Sequence, residues 1–276
     1  MKGWRQDLRT LFIAELLGNP ELWKNVVAQE AQSADRIVQL GNLLSHYTVR
    51  RDGPDSGPNL QLMRLVNAYR YTQEDWLQIV GPNEMLALNA PGVFTNGTTD
   101  RLLREGWFRT PENPEPWMQV AAVDKGRLVS HGGMTHGLWR ELGSPATAQE
   151  AADAIDERYR NSVYQGPGFS LGQAPNFSAN PIWADPLRET YPSWITAEES
   201  CPFGQIHGGP NLNTDAGRLL RGEDSSYLRW LDRVLYKPYG SIVEIRGSQF
   251  IGLELGLPLK EVRWLPDEWS LYMEES

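Results

Sequence analysis

Five short segments of this 276-residue chain gather the side chains that could hold a metal ion or move a proton. Ser130-His131-Gly132-Gly133-Met134-Thr135-His136 carries two of the four histidines, and Gly204-Gln205-Ile206-His207-Gly208-Gly209-Pro210 carries a third. Gly41-Asn42 is followed by His46, Arg50 and Arg51, and Gly81-Pro82-Asn83-Glu84 joins an amide to a carboxylate. Glu15 precedes Gly18-Asn19. Imidazole and carboxylate are natural ligands of divalent cations, and an amide oxygen is a weaker, neutral one. Histidine also moves protons near neutral pH. Glu15, Asn42 and His131 are the metal-ligand candidates. His46, Arg50, His136 and His207 are the candidates for holding an anionic ligand.

These residues matter only if the elements around them bring them together. Leu11 to Leu17 reads as a first strand that turns at Gly18-Asn19-Pro20, with Asn19 placed to cap a helix over Glu21 to Gln32. Arg36 to Leu40 reads as a second strand ending at Gly41, which makes a strand–helix–strand unit. A charged, Pro- and Gly-bearing loop from Arg50 to Asn59 leads to a helix over Leu60 to Thr72. Trp76 to Val80 is a third strand, and Thr98 to Phe108 a helix. Met118 to Val123 and Arg127 to Ser130 read as strands around an Asp124-Lys125-Gly126 hairpin turn. Thr147 and Glu150 form a capping box for a helix reaching Tyr164. Residues 165–202 form a long aromatic, Pro-rich excursion. Gly204 to His207 is another strand end. Ser241 to Ile245, Phe250 to Leu255 and Leu259 to Trp264 close the chain as a β-meander. The candidate residues thus fall where strands end, the usual place for ligands in open α/β sheets.

Composition narrows the function classes. The chain is 40% hydrophobic and 22% charged, ordinary for a globular protein. Its net charge of −9 gives no global attraction for nucleic acid or anionic lipid. No apolar run approaches the ~18 residues of a membrane helix. The N-terminal residues lack the apolar core of a secretory signal. Cys201 is the sole cysteine, so no internal disulfide forms, and the expected setting is a reducing cytoplasm. Cys201 reads as buried, with no catalytic partner evident nearby in sequence.

The segments together resemble the calcineurin-like metallophosphoesterases, above all the compact serine/threonine-phosphatase-like and dinucleotide-phosphatase-like forms of bacteria and phages. The resemblance spans nearly the whole chain. It implies an α/β fold, a sandwich of two mixed β-sheets flanked by helices, as one domain over 1–276. It also implies a site where paired metal ions clamp a phosphate ester and activate water. The family's Asp-x-His-Gly-Asn corresponds here to Glu15-Leu16-Leu17-Gly18-Asn19. Its Gly-Asp-x-x-Asp-Arg-Gly corresponds to Gly41 through Tyr47, with Asn42 replacing the bridging aspartate. Its Gly-Asn-His-Glu corresponds to Gly81 through Glu84, with Asn83 replacing the proton-donating histidine. His131-Gly132-Gly133 is kept. The last ligand histidine falls on Gly209, or on Gln205 in a shifted alignment.

The resemblance therefore implies a scaffold kept and a ligand set broken. Our expectation is a pseudoenzyme without a cofactor that binds a protein partner, or a nucleotide or phosphate ligand, and a phage-encoded protein would fit. The Tyr- and Trp-bearing stretch from Tyr159 to Trp194 is the expected contact surface. The alternative is a divergent hydrolase of phosphomonoesters or dinucleotide polyphosphates. It would use manganese, iron or zinc on Glu15, Asn42 and His131, with His136 or His207 recruited as acid or ligand. A third reading is a structural subunit of an assembly. In plainer terms, Asn42 and Asn83 read as caps of helices starting after Gly41 and Gly81. Glu84 reads as a counter-charge to the positive end of a helix.

Overall fold

The computed structural model describes residues 10–13, 16–24, 34–44, 57–72, 75–89, 97–108, 116–164, 181–184, 186–208, 242–245, 248–253, 261–264 and 269–272. The protein is mixed α/β, with two β-sheets and accompanying helices, and forms two compact units. One comprises Met1–Gln119 with Pro258–Ser276, the other Val120–Leu257.

The first unit holds a six-stranded sheet in the order β11-β10-β1-β2-β3-β4. Strands β1 (Thr10–Ile13), β2 (Arg36–Gln39), β3 (Trp76–Ile79) and β4 (Met118–Gln119) run parallel. Every residue of β1, β2 and β3 is buried, as expected for a parallel sheet covered on both faces. Strands β10 (Glu261–Trp264) and β11 (Trp269–Tyr272) add on antiparallel beside β1. Among the described residues, three helices lie between the parallel strands from β2 onwards: α2 (Pro58–Thr72), α3 (Pro82–Asn89) and α4 (Gly97–Trp107). A helical turn, α1 (Pro20–Leu22), follows β1. Proline opens α1, α2 and α3, where its missing N–H removes no helical bond. Leu62, Met63 and Val66 of α2 are fully buried.

Helix α4 approaches the strand so closely that a methyl group on Gly106 would lie 2.6 Å from the Trp117 ring. Gly106→Ala should therefore lower stability by roughly 1–3 kcal/mol despite alanine's better helix propensity. A shift of the denaturation midpoint would show it, and an unchanged midpoint would mean that Trp117 yields freely.

The second unit holds a five-stranded sheet in the order β5-β6-β7-β9-β8. Strands β5 (Ala121–Asp124) and β6 (Arg127–Ser130) form a hairpin. Both turn residues, Lys125 at φ 47° and Gly126 at φ 76°, are left-handed, as a two-residue hairpin turn requires. Strand β7 (Gln205–Gly208) lies parallel to β6 and to β9 (Ser248–Leu253), and β8 (Ile242–Ile245) pairs antiparallel with β9. The described helices of this unit are α5 (His136–Glu141), α6 (Ala148–Tyr164) and α7 (Tyr191–Thr196), with a π-turn at Pro186–Thr190 leading into α7. The α6 capping box is formed. Thr147 Oγ1 accepts from Glu150 N at 3.2 Å, and Glu150 Oε2 accepts from Thr147 N at 3.1 Å. Ala151, Ala152 and Ile155 form its buried face.

Two expectations are corrected here. The run from Met118 to Val123 is not one strand. Gln119 pairs with Ile79 in the first sheet and Ala121 with Ser130 in the second, so the chain changes sheet at Val120. The three closing strands are not a meander: β8 and β9 pair in the second sheet, whereas β10 joins β1 in the first. Both errors share a cause, because strand signals in sequence do not say which sheet a strand joins. The expected helix over Glu21 to Gln32 lies largely outside the described residues. Among the described residues, no helix is long and apolar enough to cross a membrane.

Candidate functional site

In the first unit the ends of β1, β2 and β3 are laced together by their loops. Leu17 N donates to Asn42 O at 2.9 Å, and Gly18 N to Leu43 O at 2.8 Å. After β2 the chain turns through left-handed Gly41 (φ 93°) and Asn42 (φ 52°), a conformation asparagine tolerates better than most residues. Gly81 must be glycine, because a Cβ there would stand 2.4 Å from Asn42 N.

Glu84 ties these loops. Its Oε2 accepts from Asn42 N at 2.9 Å and Gly81 N at 2.8 Å, and its Oε1 accepts from Leu44 N at 2.8 Å. The carboxyl is fully buried. Burial pushes its pKa up to about 7 and outweighs the backbone N–H groups, which favour the charged form. Glu84 does stand in the first turn of α3, yet it does more than offset a helix end: it joins the two landmark loops.

Asn42 and Asn83 serve the same junction. Asn42 Oδ1 accepts from Asn83 N at 3.1 Å, meeting one of the backbone donors that the first turn of α3 leaves open. Asn83 Nδ2 donates to Leu44 O at 2.6 Å. The expectation that each asparagine caps the helix after its own glycine is thus corrected for both: Asn42 serves a helix distant in sequence, and Asn83 lies inside α3, just after its opening Pro82, with its amide donating to Leu44 O. Asn19 matches its expected role, with Oδ1 accepting from Glu21 N at 3.1 Å. Below the loops, Gln39 and Gln78 are register partners, fully buried and hydrogen-bonded to each other, and Gln39 also bonds Gly41 through both N–H and carbonyl. Buried glutamines at matching places in Arg-Ile-Val-Gln and Trp-Leu-Gln-Ile were a readable signal that periodicity alone passed over. Glu15, His46 and Arg50 lie outside the described residues.

In the second unit His131 directly follows β6 and is buried, its carbonyl accepting from Gly208 N at 2.8 Å. Gly132 N donates to Pro181 O at 2.6 Å, and Thr190 Oγ1 donates to Gly132 O at 2.7 Å. A Cβ on Gly132 would lie 2.5 Å from Ala184 O. The glycines of this segment therefore let residues 181–190 pack against it.

Gln205 fastens Met134 from both sides. Met134 N donates to Gln205 Oε1 at 2.7 Å, and Gln205 Nε2 donates to Met134 O at 3.1 Å. Trp194 Nε1 donates to the same carbonyl at 2.7 Å. Gln205 thus has a structural task. Cys201 is buried, its thiol donating to Phe203 O at 3.1 Å and pushed up by burial to a pKa of about 11. A thiol so placed is a poor nucleophile.

His136 and His207 have separate surroundings. Thr135 caps α5 by accepting from Leu138 N at 3.2 Å, and His136 N donates to Ser193 Oγ at 2.9 Å. The His136 ring lies against Trp194 and pairs with Glu199 at 3.0 Å, and Arg140 pairs with the other Glu199 oxygen at 2.9 Å. His207 is buried at the end of β7. Its Nδ1 lies 2.7 Å from Gly208 O, and its Nε2 lies 2.6 Å from the Tyr191 hydroxyl. A carbonyl only accepts, so the geometry assigns the proton to Nδ1, and Nε2 accepts from the phenol. Burial pushes the imidazole pKa down to about 4, with His131 acting in the same sense and Gly208 opposing. Tyr191 carried no functional signal in sequence beyond its aromatic type.

Among the described residues, no group of three or more His, Cys, Asp or Glu side chains converges to hold a metal ion. Asn42 Oδ1 is engaged by Asn83 N, and both His207 nitrogens are engaged. These described candidates do not fit a metal centre. Of the expected Tyr- and Trp-bearing contact stretch, residues 165–180 and 185 lie outside the described residues, and Tyr191 and Trp194 are buried in the second unit, 3% and 1% exposed, so these two do not face a partner. No protein-family model matches the chain, and comparison with curated proteins gives no match.

Proposed function

We propose that this chain is a metallophosphoesterase-like sandwich that has kept the family's strand-end loops and lost its metal chemistry, and that it acts by binding. Its ligand would be a protein partner, or a nucleotide or phosphate held at the strand ends. One observation supports this most directly. Among the described residues at and beside the landmark positions, Asn42 is engaged with Asn83, Asn83 with Leu44, and His207 with Tyr191 and Gly208. The consecutive parallel strands β1 to β3, with landmarks after their carboxyl ends, agree with the same reading.

Elemental analysis after purification with added manganese tests it. We expect no stoichiometric metal. A pair of ions per chain would sink the reading. A single ion, with metal-dependent phosphate release from an aryl phosphate that is lost in His131→Ala, would establish the divergent hydrolase instead.

A further inference from the structure

The strand-end loops of the first unit hold one another through a circuit of hydrogen bonds. Asn42 O and Leu43 O, after β2, accept from Leu17 N and Gly18 N, after β1. Asn42 N and Leu44 N donate to the Glu84 carboxyl, and so does Gly81 N, after β3. Asn42 Oδ1 accepts from Asn83 N, and Asn83 Nδ2 donates back to Leu44 O. Each of these links between loops runs through residues 42–44. Moving that loop alone would take two of its three backbone donors from the fully buried Glu84 carboxyl. The same movement would free Leu17 N and Gly18 N. Groups stripped of partners in a buried place are costly, so the links favour leaving together over leaving singly.

We infer that the three loops form one clasp, pinned by Glu84, that opens as a whole or stays shut and so closes the strand ends of the first unit at rest. Folded proteins open locally in such cooperative units, each with its own free energy. The clasp has a consequence for the site. A ligand that uses any of these backbone donors binds more weakly by the factor by which the closed form outnumbers the open one. That consequence rests on the binding reading, whereas the joint opening does not.

Native-state amide hydrogen exchange of the full chain, at one fixed pH, reads the opening at each amide separately. In wild type, the amides of Leu17, Gly18, Asn42, Leu44, Gly81 and Asn83 should share one protection factor. Ile37 N, which donates to Asp75 O at 2.9 Å in the sheet, should be better protected than all of them. Asn83→Ala suits a helix and removes the amide that holds Leu44 O. It should lower protection at Leu44 and Gly81 by roughly tenfold. Leu17 and Gly18, whose own bonds end on Asn42 O and Leu43 O, should fall by the same factor. Unequal protection within the group in wild type would overturn the inference, as would protection no lower than at Ile37. An Asn83→Ala effect that fails to reach Leu17 and Gly18 would overturn it too. Should Asn83→Ala fail to fold, the wild-type pattern decides alone. Exchange reads the clasp and metal content decides the binding reading, so either can fail without the other.

Discussion

Replacing Glu84 by alanine is expected to be among the most damaging single changes in the first unit, lowering stability by about 3–5 kcal/mol. The carboxylate accepts from three backbone N–H groups on two loops, at Asn42, Leu44 and Gly81. Alanine would leave all three donors buried without this acceptor and would open a cavity as well. Glu84→Gln separates shape from charge. Folded Glu84 has its pKa raised to about 7, against ~4.3 for an unfolded glutamate. Between those values the folded state binds more protons than the unfolded one. The contribution of Glu84 to stability is therefore greatest below the unfolded value and falls by up to about 3 kcal/mol as pH rises through 7. Denaturation of wild type and Glu84→Gln across pH 4 to 8 should show this slope only in wild type. Parallel curves would mean that the N–H groups, and not burial, govern the carboxyl.

Acidification should act on the second unit with the opposite sign. His207 is held neutral, with its pKa pushed down to about 4 from ~6.5 in an unfolded chain. Below the unfolded value the unfolded state takes up the proton that the folded state refuses. Stability is full above 6.5 and is lost as pH falls towards 4, by up to about 3 kcal/mol. Amide hydrogen exchange, corrected for its intrinsic pH dependence, resolves the two units. Strands β6 and β7 should lose protection on going from pH 7 to pH 5, and His207→Gln should flatten that loss. Equal protection in wild type at both pH values would show that His207 titrates normally. Since the Glu84 term strengthens on acidification and the His207 term weakens, a global unfolding midpoint would partly conceal both.

The sequence told most where local chemistry decides the outcome. The capping box at Thr147 and Glu150, the hairpin turn at Lys125-Gly126, the Asn19 cap and the parallel strands ending at Gly41 and Gly81 all rest on contacts between near neighbours, or on burial patterns a few residues long. What was not legible depends on partners far along the chain. Asn42 looked like a cap for a helix starting after Gly41, but its acceptor meets α3, which starts 40 residues later (Asn42 to Pro82). Glu84 looked like a helix counter-charge, and only the fold brings Leu44 N to it. Tyr191 and Trp194 looked like contact residues, because an aromatic type says nothing about whether its ring faces a core or a partner. The change of sheet at Val120 is invisible in a run of residues that all favour strand. Of the candidate site, the landmark segments and their place at strand ends were readable, and the occupation of their polar groups by internal partners was not.

The chain order of the two units has a consequence for biosynthesis. The second unit is contiguous, but the first is completed by Pro258–Ser276, which follow it. On the ribosome, residues 120–257 emerge whole before β10 exists to cover β1. Until then β1 is the open border of its sheet, a buried Thr-Leu-Phe-Ile run in the finished protein. Such a border invites pairing with other chains. A chain stopped before Pro258 would keep that border for good, and its expected fate is insolubility rather than loss of a tail.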